Sequence, residues 1–320
     1  MVRIKPQNKL AHISDEKSKG TNADRKKDMP IKFLGRKGRR MAKILERRRQ
    51  AKRERTERRR RRKRAIKAGL EPEPIQTPKT IESMRRVETW SVDTEGVACM
   101  IDEFQEYYNG NVTPKILITS NRRPSYKLRT FIKELLLIIP NSIYLARSEF
   151  LLKNVVKHAL NESFTAIIMV NQGRDKLPHS FHIATLPDGP TVFYRLTSLK
   201  LASEMVGAAY SSTHYPEIVL DNFTTVLGQR LGRQLGSLFP PNPDFEGRRV
   251  ITFRNQRDFI FFRHHRYVFR SMEKCSLVEI GPRFTLKIRS VQEGAFDLVH
   301  GLYEFLWKPD LQVDRKRFFL

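Results

Sequence analysis

Two stretches decide the fold: Pro114-Lys115-Ile116-Leu117-Ile118-Thr119-Ser120 and Pro216-Glu217-Ile218-Val219-Leu220-Asp221-Asn222. Each is a short apolar run of strand type that passes through a polar loop into an amphipathic segment. Each unit then ends on Pro-Asn, at Pro140-Asn141 in the first and Pro241-Asn242 in the second. The repeat predicts two α/β halves in tandem. In the first half Leu128, Phe131, Ile132, Leu135, Leu136 and Ile139 recur at helical spacing over Tyr126–Ile139. In the second, Gly228, Gly232 and Gly236 stand at i, i+4 and i+8. That stripe lets a backbone approach closely, either in packing on the sheet or against RNA. Gln229, Arg230, Arg233 and Gln234 in the same segment exclude a membrane helix pair.

Working outward, Ser142–Ala146 reads as strand, Phe150–Leu160 as helix and Thr165–Val170 as a buried strand. Phe181–Leu186 and Thr191–Leu196 flank Pro187-Asp188-Gly189-Pro190, a hairpin signal. Five further strands are expected at Val250–Arg254, Phe259–Arg263, Tyr267–Arg270, Ser276–Ile280 and Phe284–Val291. The final DRKRFFL reads as a basic peripheral tail.

Charge is unevenly placed. The 320 residues carry 61 Lys+Arg against 34 Asp+Glu, a net +27. Residues 1–70 hold 28 against 7, a net +21, and the remaining 250 hold 33 against 27, a net +6. At 39% hydrophobic, part of the chain is expected to carry no core. Residues 1–29 read as disordered. Arg39–Lys67 lacks Pro and Gly and consists of good helix formers. Its like charges repel, so the helix is expected to form against phosphate, where counterion release compensates. The bland reading, a solvated charge run that serves as an import signal, stands beside direct RNA contact. Gly69–Pro78 is a proline-rich linker. Beyond it Glu82, Glu88, Asp93, Glu95, Asp102, Glu103 and Glu106 face only Arg85 and Arg86. This acidic arm packs on a basic surface of its own chain, packs on a partner, or stays in water.

Several classes fall away. The longest apolar run, Leu135–Ile139, is far below the ~20 residues of a membrane span. The N-terminus shows no apolar signal region. The two cysteines, Cys99 and Cys275, make neither a disulfide framework nor a usual zinc site, which fits a reducing, intracellular setting. Gly35-Arg36-Lys37-Gly38 follows no strand and is no phosphate loop. His179 and His182 fall in a hairpin, and His264 and His265 would face opposite sides of a strand, so no metal site is expected. No carboxylate pair sits in an apolar setting that would tune one as an acid. No cofactor and no small-molecule substrate are expected.

Arg283, Thr285, Lys287 and Arg289 alternate with Phe284, Leu286 and Ile288. On a strand this buries one face and shows a row of cations on the other, at steps of about 6.6–6.8 Å. Arg248–Arg270 adds seven arginines and two histidines against one acid, Asp258, among six aromatics. Rings among arginines suit stacking on unpaired bases, or they belong to the core.

Together ILITSNRRPS (116–125), LPDGPT (186–191), PEIVLDNFTTVLGQRLGRQLGSLFP (216–240), ITFRNQRDFIFFRHHRYVFR (251–270) and GPRFTLKIRS (281–290) resemble the Brix-domain family of ribosome assembly factors, in family order. The Arg-rich leader, PKTIESMRRVETW, GLYEFLWKP and the RKRFFL end argue for one particular member. The resemblance implies two pseudo-symmetric α/β halves, each like the anticodon-binding module of class II tRNA synthetases. It implies a nucleolar factor for the large (60S) ribosomal subunit that binds precursor rRNA, works beside other pre-60S proteins and has a maintenance-of-killer-type factor as partner. The family's RNA-binding segment falls on Gly281 through Arg289.

The expected organisation is a basic disordered or helical extension at 1–70, a linker and acidic arm at 71–110, a Brix body at 111–310 with halves near 111–200 and 214–300, and the tail at 311–320. The function expected is non-catalytic rRNA scaffolding. The alternatives are a protein adaptor whose tail only imports it and an enzyme related to tRNA synthetases. Candidate RNA contacts in the body are Arg283, Lys287 and Arg289, then Arg254, Arg257, Arg263 and Arg266, Arg230 and Arg233, and Arg122 and Arg123. In the leader they are Arg47, Arg48, Arg58, Arg59, Arg60, Arg61 and Arg62.

Overall fold

The computed structural model describes residues 35–71, 74, 78–86, 103–272, 274–296, 301–312 and 314–320. The expected disorder of residues 1–29 and the carboxylates Glu88, Asp93, Glu95 and Asp102 lie outside them, as does Cys99. The chain divides into two compact units between Pro78 and Lys79.

In the first unit α1 spans Arg36–Lys67 and buries no residue. Its 32 residues extend about 48 Å at 1.5 Å each. Glu57 and Arg61 pair across one turn at 2.9 Å. Gly69, at φ +70°, ends it: the Gly69 N–H donates to Ile66 O and the Leu70 N–H to Ala65 O. This double closure needs a left-handed residue, which glycine supplies.

In the second unit the elements run α2 (Gln105–Tyr108), β1 (Ile116–Ser120), α3 (Tyr126–Ile138), β2 (Ser142–Leu145), α4 (Leu152–Asn161), β3 (Ala166–Gln172), β4 (Pro178–Thr185) and β5 (Thr191–Lys200). Then come β6 (Glu217–Asp221), α5 (Val226–Gly236), β7 (Arg249–Gln256), β8 (Phe259–Ser271), β9 (Lys274–Glu279), β10 (Arg283–Gln292) and β11 (Tyr303–Leu306). The sheet order is β2-β1-β3-β4-β5-β10-β8-β7-β6, with β11 on β10 and β9 on β8.

That order is a palindrome about the β5–β10 pair. β1 runs parallel to β3, and β4 and β5 follow antiparallel. β6 runs parallel to β7, and β8 and β10 follow antiparallel. In each half a helix makes the parallel crossover, and a hydroxyl caps its start: Ser125 accepts from Leu128 N, and Thr225 from Gly228 N. The two α/β halves predicted from the repeat thus share one sheet. β2 and α4 are an insertion of the first half and β9 of the second.

α3 and α5 cover one face. Phe131, Ile132 and Leu135 from α3 and Leu231 and Leu235 from α5 join Phe181, Tyr194, Phe262, Phe284, Leu286 and Ile288 in one core. On the other face α4 packs Val155 and Ala159 on Leu117, Ile167 and Leu186 of the first half, with Ala295 and Phe296 against them.

Three expectations need correction. Phe259–Arg263 and Tyr267–Arg270 are one 13-residue strand, because His264 turns into the core and the ladder runs on through it. The C-terminus is no peripheral tail: Phe318 and Leu320 are buried. The Asp258 carboxylate accepts from Phe319 N at 2.7 Å and Leu320 N at 2.9 Å, and Arg85 donates to Leu320 O at 2.8 Å. The glycine stripe meets the C-terminus, Phe223 and Tyr108 more than the sheet, which it touches through Leu220 of β6, 3.5 Å from a Cβ at Gly236. A Cβ at Gly228 would lie 2.8 Å from Leu320 main chain, at Gly232 3.3 Å from the Phe223 ring, and at Gly236 2.1 Å from the Tyr108 hydroxyl. The described part of the acidic arm packs on its own chain: Glu103 pairs with Arg230 at 2.7 Å, and Glu82 accepts from Asn222 at 3.0 Å.

Candidate nucleic-acid interface

On β10 the expected alternation holds. Phe284, Leu286 and Ile288 enter the core under the helices, so Arg283, Thr285, Lys287 and Arg289 lie on the opposite face. Lys287 stands between Arg195 of β5 and Phe259 of β8. Its ammonium lies 4.9 Å from the Phe259 ring and 4.6 Å from Trp307, and the Arg289 guanidinium lies 4.4 Å from Trp307. The Trp307 N–H of the main chain donates to Arg289 O at 2.8 Å, which fixes the indole over both cations. Arg263 on β8 lies 5.7 Å from the Phe261 ring.

The electrostatics favour an anion. Partial burial lowers the pKa of Lys287, and neighbouring Arg289 and Arg195 lower it further, while Asp258 acts the other way. Arg289 is lowered by burial and by Arg195. Cations that oppose each other's charge on a half-dry surface are relieved by a phosphate.

The other predicted residues divide. Arg254 shares this face, exposed and 3.4 Å from Asp221. Arg257 lies in the β7–β8 turn, exposed, at φ +56°. Arg263 also donates to Phe262 O at 2.7 Å, and Arg283 contacts Glu279 at 3.4 Å. Arg266 faces the other way, opposite buried Arg249, and reaches Tyr210 O at 3.3 Å. Arg230 and Arg233 are on α5, across the sheet from Lys287. Arg230 is clamped between Glu103 and Glu304; burial opposes its charge, but the bonds to Glu304 and Glu103 raise its pKa. Arg233 lies 4.1 Å from the Tyr108 ring. The structure therefore does not bring Arg266, Arg230 or Arg233 to the β10 face. Arg122 and Arg123 are exposed in the β1–α3 loop. Arg47, Arg48, Arg58, Arg59, Arg60 and Arg62 are exposed or half-exposed along α1, with Arg61 paired to Glu57.

The rings divide between core and surface. Phe253 and Phe262 are core, whereas Phe259 is 37% exposed and Phe269 68%. Trp307 and Arg195, absent from the predicted set, complete the face.

No group of three His, Cys, Asp or Glu comes together among the described residues. His182 is stacked on Phe193 at 4.5 Å, and burial lowers its pKa to about 4. Burial raises the carboxyls of Asp258 and Glu134 above their ordinary values. Burial raises Glu134 to about 7, against the bond from Ala202 N and with a contribution from Glu204. It sits on α3 at the Ala202 turn and accepts from that N–H at 3.0 Å, a structural place rather than a cleft.

Two half-domains sharing one palindromic sheet, with a basic row on β10, define the class: the chain belongs to the Brix-domain family, whose model matches residues 121–290. Among its relatives, ribosome production factor 1 of Pongo abelii is 44% identical over 78% of this chain and 72% of its own length. The protein of that name from Xenopus laevis is 43% identical over 78% and 74%. The one from Saccharomyces cerevisiae is 38% identical over 76% and 81%. A solved structure, a probable ribosomal biogenesis protein of Aeropyrum pernix K1, covers 55% of this chain and 96% of its own at 16% identity, with a TM-score of 0.39.

Proposed function

We propose that this chain is a non-catalytic, rRNA-binding assembly factor for the precursor of the large (60S) ribosomal subunit, acting in the nucleolus. The relatives named ribosome production factor 1 support a role in making ribosomes. The β10 face carries the RNA-binding half of the reading: Lys287 and Arg289 project from a strand whose other face is locked in the core, with Trp307 and Phe259 beside them. A rigid strand places charges at fixed intervals without reorganisation on binding. The exposed rings add sequence-tolerant stacking worth ~1–3 kcal/mol per base. The leader helix adds affinity by neutralising phosphates. The protein partners in this reading are a maintenance-of-killer-type factor and other pre-60S proteins, with no membrane and no small-molecule substrate.

The experiment is cross-linking of the full chain to precursor rRNA in cells, read at nucleotide resolution, for the native protein and Lys287→Glu/Arg289→Glu. Loss of cross-links with retained entry into the particle is expected. The adaptor reading draws on the exposed Phe269, Met272 and Leu277 of the β8–β9 ribbon. Unchanged cross-links in the charge-reversed protein would favour it.

A further inference from the structure

The carboxyl ends of the parallel strands β2, β1 and β3 open into a crevice lined by Asn121, Arg122, Arg123, Arg147, Asn171 and Gln172. Crevices of this kind, beyond strand carboxyl ends, are where open α/β sheets receive ligands. Gln172 makes the rim rigid. Its Oε1 accepts from Ser125 N at 2.8 Å, its Nε2 donates to Arg123 O at 2.9 Å, and its main-chain N–H donates to Asn121 Oδ1 at 2.9 Å. The Ser125 hydroxyl donates to Lys176 O at 2.7 Å, which ties the loop to the β3–β4 connection.

The charges on this rim are unneutralised. Elsewhere on the body Arg86, Lys127, Arg230, Arg254 and Arg283 each have a carboxylate within 4.0 Å. Among the described residues no carboxylate reaches Arg122, Arg123 or Arg147; Arg147 spends its Nε on Phe150 O at 3.1 Å. Three such guanidiniums around one concave rim make an anion site.

A second observation connects this rim to β10. Along one register row Asn171 faces Ser180, Ser180 faces Arg195, Arg195 faces Lys287 and Lys287 faces Phe259. The row lies on the face opposite α3 and α5, and from β3 to β10 it takes three inter-strand steps, about 14 Å. Arg195 is exposed midway along it.

We propose that the Arg122–Arg123–Arg147 crevice is a second phosphate site, and that one single strand of RNA follows this row from the crevice across Arg195 to Lys287 and Phe259. The inference deepens the RNA-binding reading and rests on it. Its ligand chemistry is the phosphodiester of an unpaired strand, since the row crosses the strands in a line and presents side chains rather than a groove.

The test is fluorescence anisotropy of the full chain with a single-stranded RNA of roughly 12 nucleotides, within the site sizes of single-strand binders. Native protein, Arg122→Gln/Arg123→Gln/Arg147→Gln, the same three changed to Lys, and Lys287→Gln/Arg289→Gln are compared over a salt series. The glutamine triple is expected to bind at least ~10-fold more weakly and to lower the log–log salt slope by about 2, from ~0.7 per phosphate contact. The lysine triple should keep the slope. Unchanged affinity and slope in the glutamine triple, with weakened binding in the Lys287/Arg289 pair, overturns the crevice and leaves the RNA reading standing. Failure of the native protein to bind overturns that reading itself. Inorganic pyrophosphate is the control for source: a thermal shift lost in the glutamine triple, with RNA affinity unaltered, would show a small-phosphate site and overturn the strand path. Should the glutamine triple melt early, Arg123→Gln alone carries the comparison.

Discussion

Arg249 Nε donates to His264 Nε2 at 3.2 Å in the interior of the sheet. The arginine is 2% exposed, and no carboxylate pairs with it among the described residues. Its other donors go to main-chain oxygens: Nη1 to Ser212 and to His214 (2.7 Å), Nη2 to Leu137 (3.1 Å). Leu137 belongs to the first half and the others to the second, so one guanidinium ties both halves of the repeat. Burial lowers its pKa to about 10, with Arg266 adding to the effect. The charge is retained because carbonyl dipoles replace water.

Arg249→Met is therefore expected to cost about 3 kcal/mol or more, because several buried carbonyls lose their donor at once. Arg249→Lys should fall between, since one ammonium cannot reach carbonyls arranged around a planar fork. Urea midpoints of the three proteins check this. A Met variant as stable as the native protein would show that the halves are held by apolar packing alone.

The same contact sets an acid limit. His264 Nδ1 lies 2.9 Å from Gly281 O, so this nitrogen carries the proton and Nε2 accepts from Arg249. Burial holds its pKa at about 4, and His182 is held at about 4 in the same way. The unfolded chain takes up these protons near 6.5. Between 6.5 and 4 it binds more protons than the folded protein, so stability is full above that window and is lost as pH falls through it. Each group contributes on the order of 3 kcal/mol. Glu134, raised to about 7, opposes this slope above its ordinary value near 4.5. Urea midpoints at about pH 7 and about pH 4.5 should fall steeply, and His182→Phe, which keeps the stack on Phe193, should reduce the fall.

The three helix glycines separate into two kinds. At Gly228 a Cβ meets Leu320 main chain, which is held by Asp258 and by the Thr225 hydroxyl donating to Phe319 O at 2.7 Å. At Gly236 it meets the end of the Tyr108 side chain, with Leu220 of β6 at an ordinary 3.5 Å. Gly228→Ala should destabilise by about 1–3 kcal/mol, the scale of overpacking. Gly236→Ala should leave the urea midpoint nearly unchanged and make the chain near Tyr108 more readily cleaved in limited proteolysis.

What could be read from the sequence was what repeats locally. α3 showed itself through Leu128, Phe131, Ile132 and Leu135, and the row Lys287–Arg289 through strict alternation with Leu286 and Ile288. The repeat of Pro114 and Pro216 foretold the halves, but not that β5 and β10 would join them. That Arg266 faces away from Arg263 follows from one local signal: it stands three residues after Arg263, and an odd step on a strand changes face. Trp307, Arg195, the Glu103–Arg230 pair and the seat of Leu320 against Asp258 were not legible. Glu103 and Arg230 are 127 residues apart, and nothing in either local pattern encodes the meeting.

The leader makes its own prediction. α1 buries no side chain, so its arginines can change without cost to a core. Arg58, Arg59, Arg60 and Arg62 together with Arg61 form one uninterrupted cationic turn and a half, and Arg61 pairs with Glu57 one turn away. Replacing all five by Gln keeps good helix formers in place. Binding of single-stranded RNA should then show a log–log salt slope shallower by up to about 3.5, at ~0.7 per contact, while the urea midpoint of the body stays put. An unchanged slope with unchanged affinity would remove the leader from RNA binding and leave it the import role alone.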